Sequence, residues 1–231
     1  MLGSSEVDRV YCGGVIVWER NSSPLPEGYT QLNYIQSSGA QWLSPQMETP
    51  AETDIIRVEC KFAFVSLDSS WQAVVAYDHN TSGGQAVYTG YGLYFGGTSS
   101  EIAAQVAHPS GSVATRAAPQ IAVSTGTDYT ADITVNASAT GSTVSGNTFA
   151  ITLAHAIDIP LVLFAARPSI EWGYREFASV KMYYCRIYKN GTLVHDLLPC
   201  SRNADNKIGM YDIVAGAFRT NGGSGADFTG G

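Results

Sequence analysis

Holding a sugar takes flat apolar rings to lie against a pyranose face and short polar side chains to meet its hydroxyls. Both kinds of residue occur in this chain. The rings are Trp71, Tyr88, Tyr91, Tyr94, Trp172 and Tyr174, and Asp78, His79 and Asn80 are the polar groups nearest to them in sequence. Alternation along a strand turns about half of such rings into the interior. Exposed rings are therefore expected in the least strand-like stretch, at Trp172 and Tyr174, and the candidate glycan-binding set is Trp172, Tyr174, Tyr91, Asp78 and Asn80. Subunit interfaces are enriched in the same residue types, so the set reads equally as a contact surface.

No nucleophile is assembled by spacing. His79, His108, His155 and His195 each stand alone, and no G-x-S-x-G elbow occurs. Gly90, Gly92, Gly96 and Gly97 lack the spacing and the following helix of a phosphate loop, and fit a hairpin instead. Cys12, Cys60, Cys185 and Cys200 are too scattered for a zinc site and are expected to be buried, reduced thiols. No catalytic residue and no metal ligand is expected.

The elements that must carry these residues read as strands. Charged residues make up only 14% of the 231, Gly numbers 24, and no stretch keeps a helical period, a balance that suits short strands and tight turns. Residues 55–65 alternate cleanly, with Ile56, Val58, Cys60, Phe62 and Phe64 on one face and Arg57, Glu59, Lys61 and Ala63 on the other. Further strands are expected over 71–77, 88–95 and 101–108, with a long loop at 109–127. Residues 129–137 are expected to pair with 148–153 across the glycines at 141–146. A strand apolar on both sides at 161–166 is expected to lie between two layers, and 170–177 to be a connection. Near the end, Asn190-Gly191 predicts a type I′ hairpin; Pro199 is expected to stop the returning strand, and 201–206 to be a polar loop. A second hairpin follows, with arms at 208–211 and 217–219.

Two motifs at opposite ends carry a resemblance. LPEGYTQLNYIQSSGAQWL at 25–43, together with YKNGTLVHDLLPC at 188–200 and GMYDIVAGAF at 209–218, resembles the concanavalin A-like, laminin-G-like domains of bacteriophage structural proteins and gut-bacterial surface proteins. The middle of the chain shares only strand character with them. The resemblance implies an all-β, concanavalin A-like jelly-roll β-sandwich with a short N-terminal β-hairpin arm: arm 1–20, linker 21–26, sandwich 27–231. It implies a non-enzymatic virion structural protein, as a head decoration, fibre or tail-tip component, with host or environmental glycans as possible contacts. A lectin-like module of a bacterial surface protein is the alternative. Glucanases of the same fold carry E-x-D-x-E on one strand; here the nearest approach is Glu6-Val7-Asp8, with Val10 where the third acid would stand. Such domains also bind calcium through loop oxygens. Asp78 with Asn80, and Asp205 with Asn203 and Asn206, have suitable groups, and each set reads equally as Asx turns.

A net charge of −7 with scattered Lys and Arg opposes nucleic-acid binding. The longest apolar run, 159–166, contains Pro160 and is too short to cross a bilayer. Residues 1–6 have neither the basic nor the apolar part of a signal peptide, so synthesis in a host cytoplasm and residence in the virion are expected. The arm packs Val7, Val10, Tyr11, Val15, Ile16, Val17 and Trp18 into a short hairpin across Gly13-Gly14. At about 25 cal/mol per Å² of apolar burial it is expected to dock on other virion proteins through Val10, Tyr11, Val15, Val17 and Trp18. The whole is expected to be a homo-oligomer.

Overall fold

The computed structural model describes residues 9–12, 15–19, 23–48, 50–51, 54–67, 71–81, 87–95, 101–107, 115–116, 121–135, 140–144, 147–151, 161–169 and 173–231. In chain order the strands are β1 (Arg9–Cys12), β2 (Val15–Glu19), β3 (Tyr29–Gln31), β4 (Ile35–Gln36), β5 (Ile56–Phe64), β6 (Gln72–Thr81), β7 (Val87–Phe95), β8 (Glu101–Ala107), β9 (Thr115–Arg116) and β10 (Ile121–Ala122). They continue as β11 (Asp128–Val135), β12 (Thr140–Val144), β13 (Asn147–Ile151), β14 (Val162–Leu163), β15 (Ala166–Ser169), β16 (Gly173–Arg175), β17 (Val180–Lys189), β18 (Thr192–Arg202), β19 (Lys207–Asp212), β20 (Ala217–Arg219) and β21 (Thr229–Gly230). Among the described residues there is no helix, and so none able to cross a membrane.

Two antiparallel sheets face each other. The larger runs β13-β12-β11-β5-β17-β18-β19-β20, with β3, β4 and β21 attached; the smaller runs β10-β8-β7-β6-β14, with β9 on β8. One continuous core fills the space between them. Ile56, Val58, Cys60, Phe62 and Phe64 of β5 enter it as the alternation predicts, and Val75 and Leu93 meet them from the smaller sheet. Full burial of rings such as Phe62 and Phe64 contributes about 1.5–3 kcal/mol each. Among the described residues the protein is an all-β sandwich of antiparallel sheets. β1 and β2 form a two-stranded sheet of their own, Cys12 opposite Val15.

The opposite face of β5 holds the sheet together with charge. Arg57 grips Asp132 on β11 through two bonds of 2.8 Å, Lys61 meets Asp128 at 2.7 Å, and Tyr188 donates to Glu59 at 3.0 Å. These side chains are partly exposed, so each pair is worth at most about 1 kcal/mol. On β17 a bulge between Met182 and Tyr184 turns two consecutive tyrosines, Tyr183 and Tyr184, to the half-exposed side while Met182 and Cys185 both stay in the core. Cys60 and Cys185 stand directly opposite each other; with Cys200 they are buried free thiols. Burial pushes the Cys60 thiol up to about 12 and Cys200 to about 11.

Local turn chemistry behaves as the sequence predicts at Asn190-Gly191, where both residues are left-handed (φ 50 and 80) between the paired Lys189 and Thr192. Elsewhere the structure differs. Pro199 does not end its strand: β18 continues to Arg202, with Pro199 opposite Met210. The Pro199 carbonyl accepts from the Leu32 N–H at 3.0 Å on the β3 side. A residue's N–H and C=O share a side in an antiparallel ladder, so the missing donor faces the end of β3 and not β19. The polar loop accordingly shrinks to 203–206. Residues 140–144 are not a turn but β12, inserted between β11 and β13. The expected loop at 109–127 carries β9 and β10, both paired to β8, and 170–177 includes β16, paired to β15. Residues 161–166 are all buried, as expected. Val162 and Leu163 form a strand there, closing the smaller sheet, and Ala166 already belongs to β15; Leu43 exchanges bonds of 3.1 and 2.9 Å with Leu163.

Candidate functional site

A cleft of about 450 Å³ opens at one end of the sandwich. Ser38 and Gly39, on the turn after β4, form one wall, and Ser66, just past β5, stands on another. Trp71 and Gln72 enter it at the start of β6, and Glu176, Phe177 and Ser179 complete it on the approach to β17. Trp71 is 36% exposed, a large indole left in contact with solvent.

Buried amides hold these walls in register. Gln72 is 1% exposed; its Oε1 accepts from the Ser179 N–H at 3.0 Å, and its Nε2 donates to the Ser66 carbonyl at 3.3 Å. One side chain thus ties the end of β5, the start of β6 and the approach to β17. Gln41, 2% exposed, does the same for the turn. Its Oε1 accepts from Ser37 Oγ at 3.0 Å and from the Ser38 N–H at 2.9 Å, and its Nε2 donates to the Ala226 carbonyl at 2.9 Å. Gly39 takes φ 87 in that turn, a conformation that suits glycine. Buried polar groups satisfied in this way rigidify what they connect.

The segment 176–179 is pinned at every residue. The Ala73 N–H donates to the Glu176 carbonyl at 2.7 Å, and Phe177 is bridged in parallel to Ala73. The Ala178 N–H donates to the Phe164 carbonyl at 2.8 Å. Glu176 and Phe164 both have positive φ, 54 and 69, a region that non-glycine residues enter at a cost and keep only where the surroundings dictate it. Chemically the site offers an indole, a carboxylate and serine hydroxyls around one open volume, with the Gln72 amide engaged in holding its walls.

None of the glycan-binding residues expected from sequence is among the described residues that line the cleft. Trp172 lies outside the described residues. Tyr174, on β16, stacks on Trp42 with centroids 3.7 Å apart at 14°, and Trp42 lies close against Gly222, where a Cβ would come within 2.4 Å of the indole. That face of Tyr174 is taken up by the protein itself. Asp78 and Asn80 sit on β6 and Tyr91 on β7; the register sets Asp78 opposite Gly90 and Tyr91 opposite Tyr77. Val10, Tyr11, Val15, Val17 and Trp18 lie on β1 and β2. For calcium, Asp205 accepts from Arg202 at 3.0 and 2.6 Å and from the Lys207 N–H at 3.3 Å, as in an Asx-type turn. The Arg202 bond holds its carboxyl down at about 2. Asn203 accepts from Thr30 Oγ1 at 2.8 Å. No three His, Cys, Asp or Glu side chains converge among the described residues.

Sequence reasoning included Trp71 among the rings but missed Glu176, Ser66, Ser179 and the tie at Gln72. The one signal for Gln72 was a lone amide opening the apolar run Ala73 to Tyr77.

No family model and no curated protein matches the sequence. Among solved structures the chain is similar to a native heptameric SAP-like pentraxin from Limulus polyphemus, at 11% identity and a TM-score of 0.46, over 69% of this chain and 74% of that one. It is similar to domains LG4-5 of the mouse laminin alpha1 chain at 14% identity and 0.43, over 84% and 47%. It is also similar to an alginate lyase of polysaccharide lyase family 7 at 12% and 0.42, over 62% and 65%.

Proposed function

We propose that this chain is a non-enzymatic, lectin-like glycan-binding domain whose site is the cleft at Trp71. The observation that carries the reading is the convergence of a partly exposed indole with Glu176 and serine hydroxyls on walls held rigid by buried amides, that of Gln72 among them. Rigid walls lower the ordering cost of capture, the ring supplies apolar contact, and the polar groups fix which hydroxyls are read. Trp71→Ala is expected to weaken polysaccharide binding by about 2 kcal/mol, roughly thirtyfold, as for a central aromatic anchor. Its urea midpoint should stay within about 0.5 kcal/mol of wild type. Affinity electrophoresis across a panel of polysaccharides, beside urea unfolding, measures both, and equal retention of the two proteins on every polysaccharide would contradict the assignment.

The resemblance to bacteriophage structural proteins adds a setting for this domain: display on a particle, with the hairpin β1–β2 as its attachment. The observation favouring it is that β1 and β2 pair with each other and with no other described strand, and an isolated hairpin of this size is marginal in water. Capture of such a segment at a partner's sheet edge is a common mode of attachment. Removing residues 1–23 is expected to leave a folded domain that no longer enters assemblies. Sedimentation of the two forms checks this, and unfolding on removal would show instead that the hairpin belongs to the sandwich.

A further inference from the structure

We propose that Cys60 and Cys185 are a disulfide-forming pair: when the chain folds in the presence of a small-molecule disulfide, they close a cross-strand bond that staples the core of the sandwich. The register of β5 on β17 sets the two directly opposite each other, and both side chains are fully buried in the same core. Opposite residues of an antiparallel pair have Cα atoms about 4.5 or 5.5 Å apart, inside the range of about 4.4–6.8 Å that a disulfide spans. Their Cβ atoms stand about 4.5–5.5 Å apart, and a disulfide uses about 3.5–4.5 Å, so a slight lean of the two side chains closes the bond. The bulge between Met182 and Tyr184 ends directly before Cys185, where a bulged strand is already bent. The register offers no competing pair. Cys200 stands opposite Gly209 on one side and Gln31 on the other, and Cys12 stands opposite Val15. Across β18, Cys185 faces Leu197, about 10 Å along the strand from Cys200.

Closure is a two-step exchange with a small disulfide, RSSR. The thiolate of one cysteine attacks RSSR to form a mixed disulfide, and the released RS⁻ takes up the proton that the cysteine lost. The second cysteine, as its thiolate, then attacks the first cysteine's sulfur and displaces the other RS⁻, which is protonated in the same way. Two protein thiols are oxidised and RSSR is reduced to two RSH. Attack requires a thiolate, and burial in the folded protein pushes the Cys60 thiol up to about 12 and the Cys185 thiol well above its ordinary range. Exchange therefore belongs to the folding chain, before the two layers meet, and the finished sandwich guards whichever state it closed on. Every strand of the smaller sheet lies between Cys60 and Cys185 in sequence, as do Ser66, Trp71, Gln72, Glu176, Phe177 and Ser179 of the cleft. The bond joins both ends of that segment, and a crosslink that closes so long a loop removes much of the unfolded chain's freedom.

The test refolds the reduced full chain from denaturant, once in a mixture of reduced and oxidised glutathione and once in reductant alone. Free thiols are then alkylated and the peptides mapped by mass spectrometry. Refolding in glutathione is expected to give a protein two hydrogens lighter, with one peptide pair linking Cys60 to Cys185 and with Cys12 and Cys200 alkylated. The linked form should melt about 5 °C or more above the reduced form. Cys185→Ala should melt at the same temperature after either refolding. Protein already folded in the reduced state and then placed in the same glutathione mixture should form the link at least about tenfold more slowly. Cys60 and Cys185 both alkylated after refolding in glutathione, or Cys60 linked to another cysteine, would overturn the proposal. So would a linked form that melts no higher than the reduced one, a melting difference that persists in Cys185→Ala, or a link that forms as fast in the folded protein.

Discussion

Replacing Asp212 by alanine is expected to destabilise the domain by about 3 kcal/mol, because a buried carboxylate is removed and its several hydrogen-bond partners are left unsatisfied. Asp212 is fully buried, and its Oδ2 lies 2.6 Å from Nδ1 of His195, itself 8% exposed. Oδ1 accepts from the N–H groups of Asp196, Val214 and Ala215 at 3.3, 3.2 and 3.2 Å. One carboxylate therefore ties β18 to β19 and caps the turn into β20. Burial on its own would raise the Asp212 pKa, but the His195 bond and the backbone donors outweigh it and hold the pKa below its ordinary 3.8. A folded-state value lower than the unfolded one means stability that is present above 3.8 and lost as pH falls through the folded value. Urea unfolding at pH 7 should show the large loss for Asp212→Ala and a smaller one for Asp212→Asn, which keeps an acceptor for the turn. Repeated below pH 4, the gap between wild type and Asp212→Asn should narrow. A loss under about 1 kcal/mol for the alanine variant would mean that the pair does not secure the closing hairpins.

Gly209→Ala is expected to cost about 3 kcal/mol, the upper end of what forced overpacking does. A Cβ at Gly209 would stand 2.1 Å from the Arg219 carbonyl oxygen and 2.9 Å from the Phe218 ring. The first of these atoms is backbone, so the clash is relieved only by parting β19 from β20. Phe218 is also the ring against which Tyr29 packs at 5.5 Å and over which Arg202 lies at 4.9 Å, so the displacement spreads to β3 and β18. Gly216 provides the contrast: φ is 64, but a Cβ there meets nothing nearer than Tyr211 Oη at 4.0 Å. Gly216→Ala should lose only the left-handed backbone penalty, about 1–2 kcal/mol. The order of the two melting temperatures decides the matter, and Gly209→Ala as stable as Gly216→Ala would contradict the packing of β19 on β20.

The closing motif was legible in the sequence because its determinants are local. Asn190 and Gly191 make their turn wherever the strands lead, and the alternation of β5 predicts its buried face residue by residue. What was illegible depends on pairing between distant strands. His195 reads as a lone histidine until β18 and β19 set it beside Asp212, and Pro199 reads as a strand end until β3 shows which side lacks a partner. Gly141 suggested a turn, although Thr140, Thr143 and Val144 around it favour a strand. The site was harder still. An aromatic-rich stretch such as Trp172 to Tyr174 signals rings but not what covers them, and Trp42 covers Tyr174. Glu176 became part of a cleft through the bond of its carbonyl to the Ala73 N–H and that of the nearby Ala178 N–H to the Phe164 carbonyl, which no spacing reveals.

The most direct test of a glycan site at this cleft is the indole N–H spectrum of the labelled protein during titration with a neutral polysaccharide. The chain has four tryptophans, Trp18, Trp42, Trp71 and Trp172, so the Trp71 signal can be assigned from the spectrum of Trp71→Ala. Binding at the cleft predicts that the Trp71 indole and the Gln72 side-chain amide shift together and saturate with one affinity, while Trp42, stacked under Tyr174, stays in place. Saturable binding with the Trp71 and Gln72 signals unmoved would contradict the site.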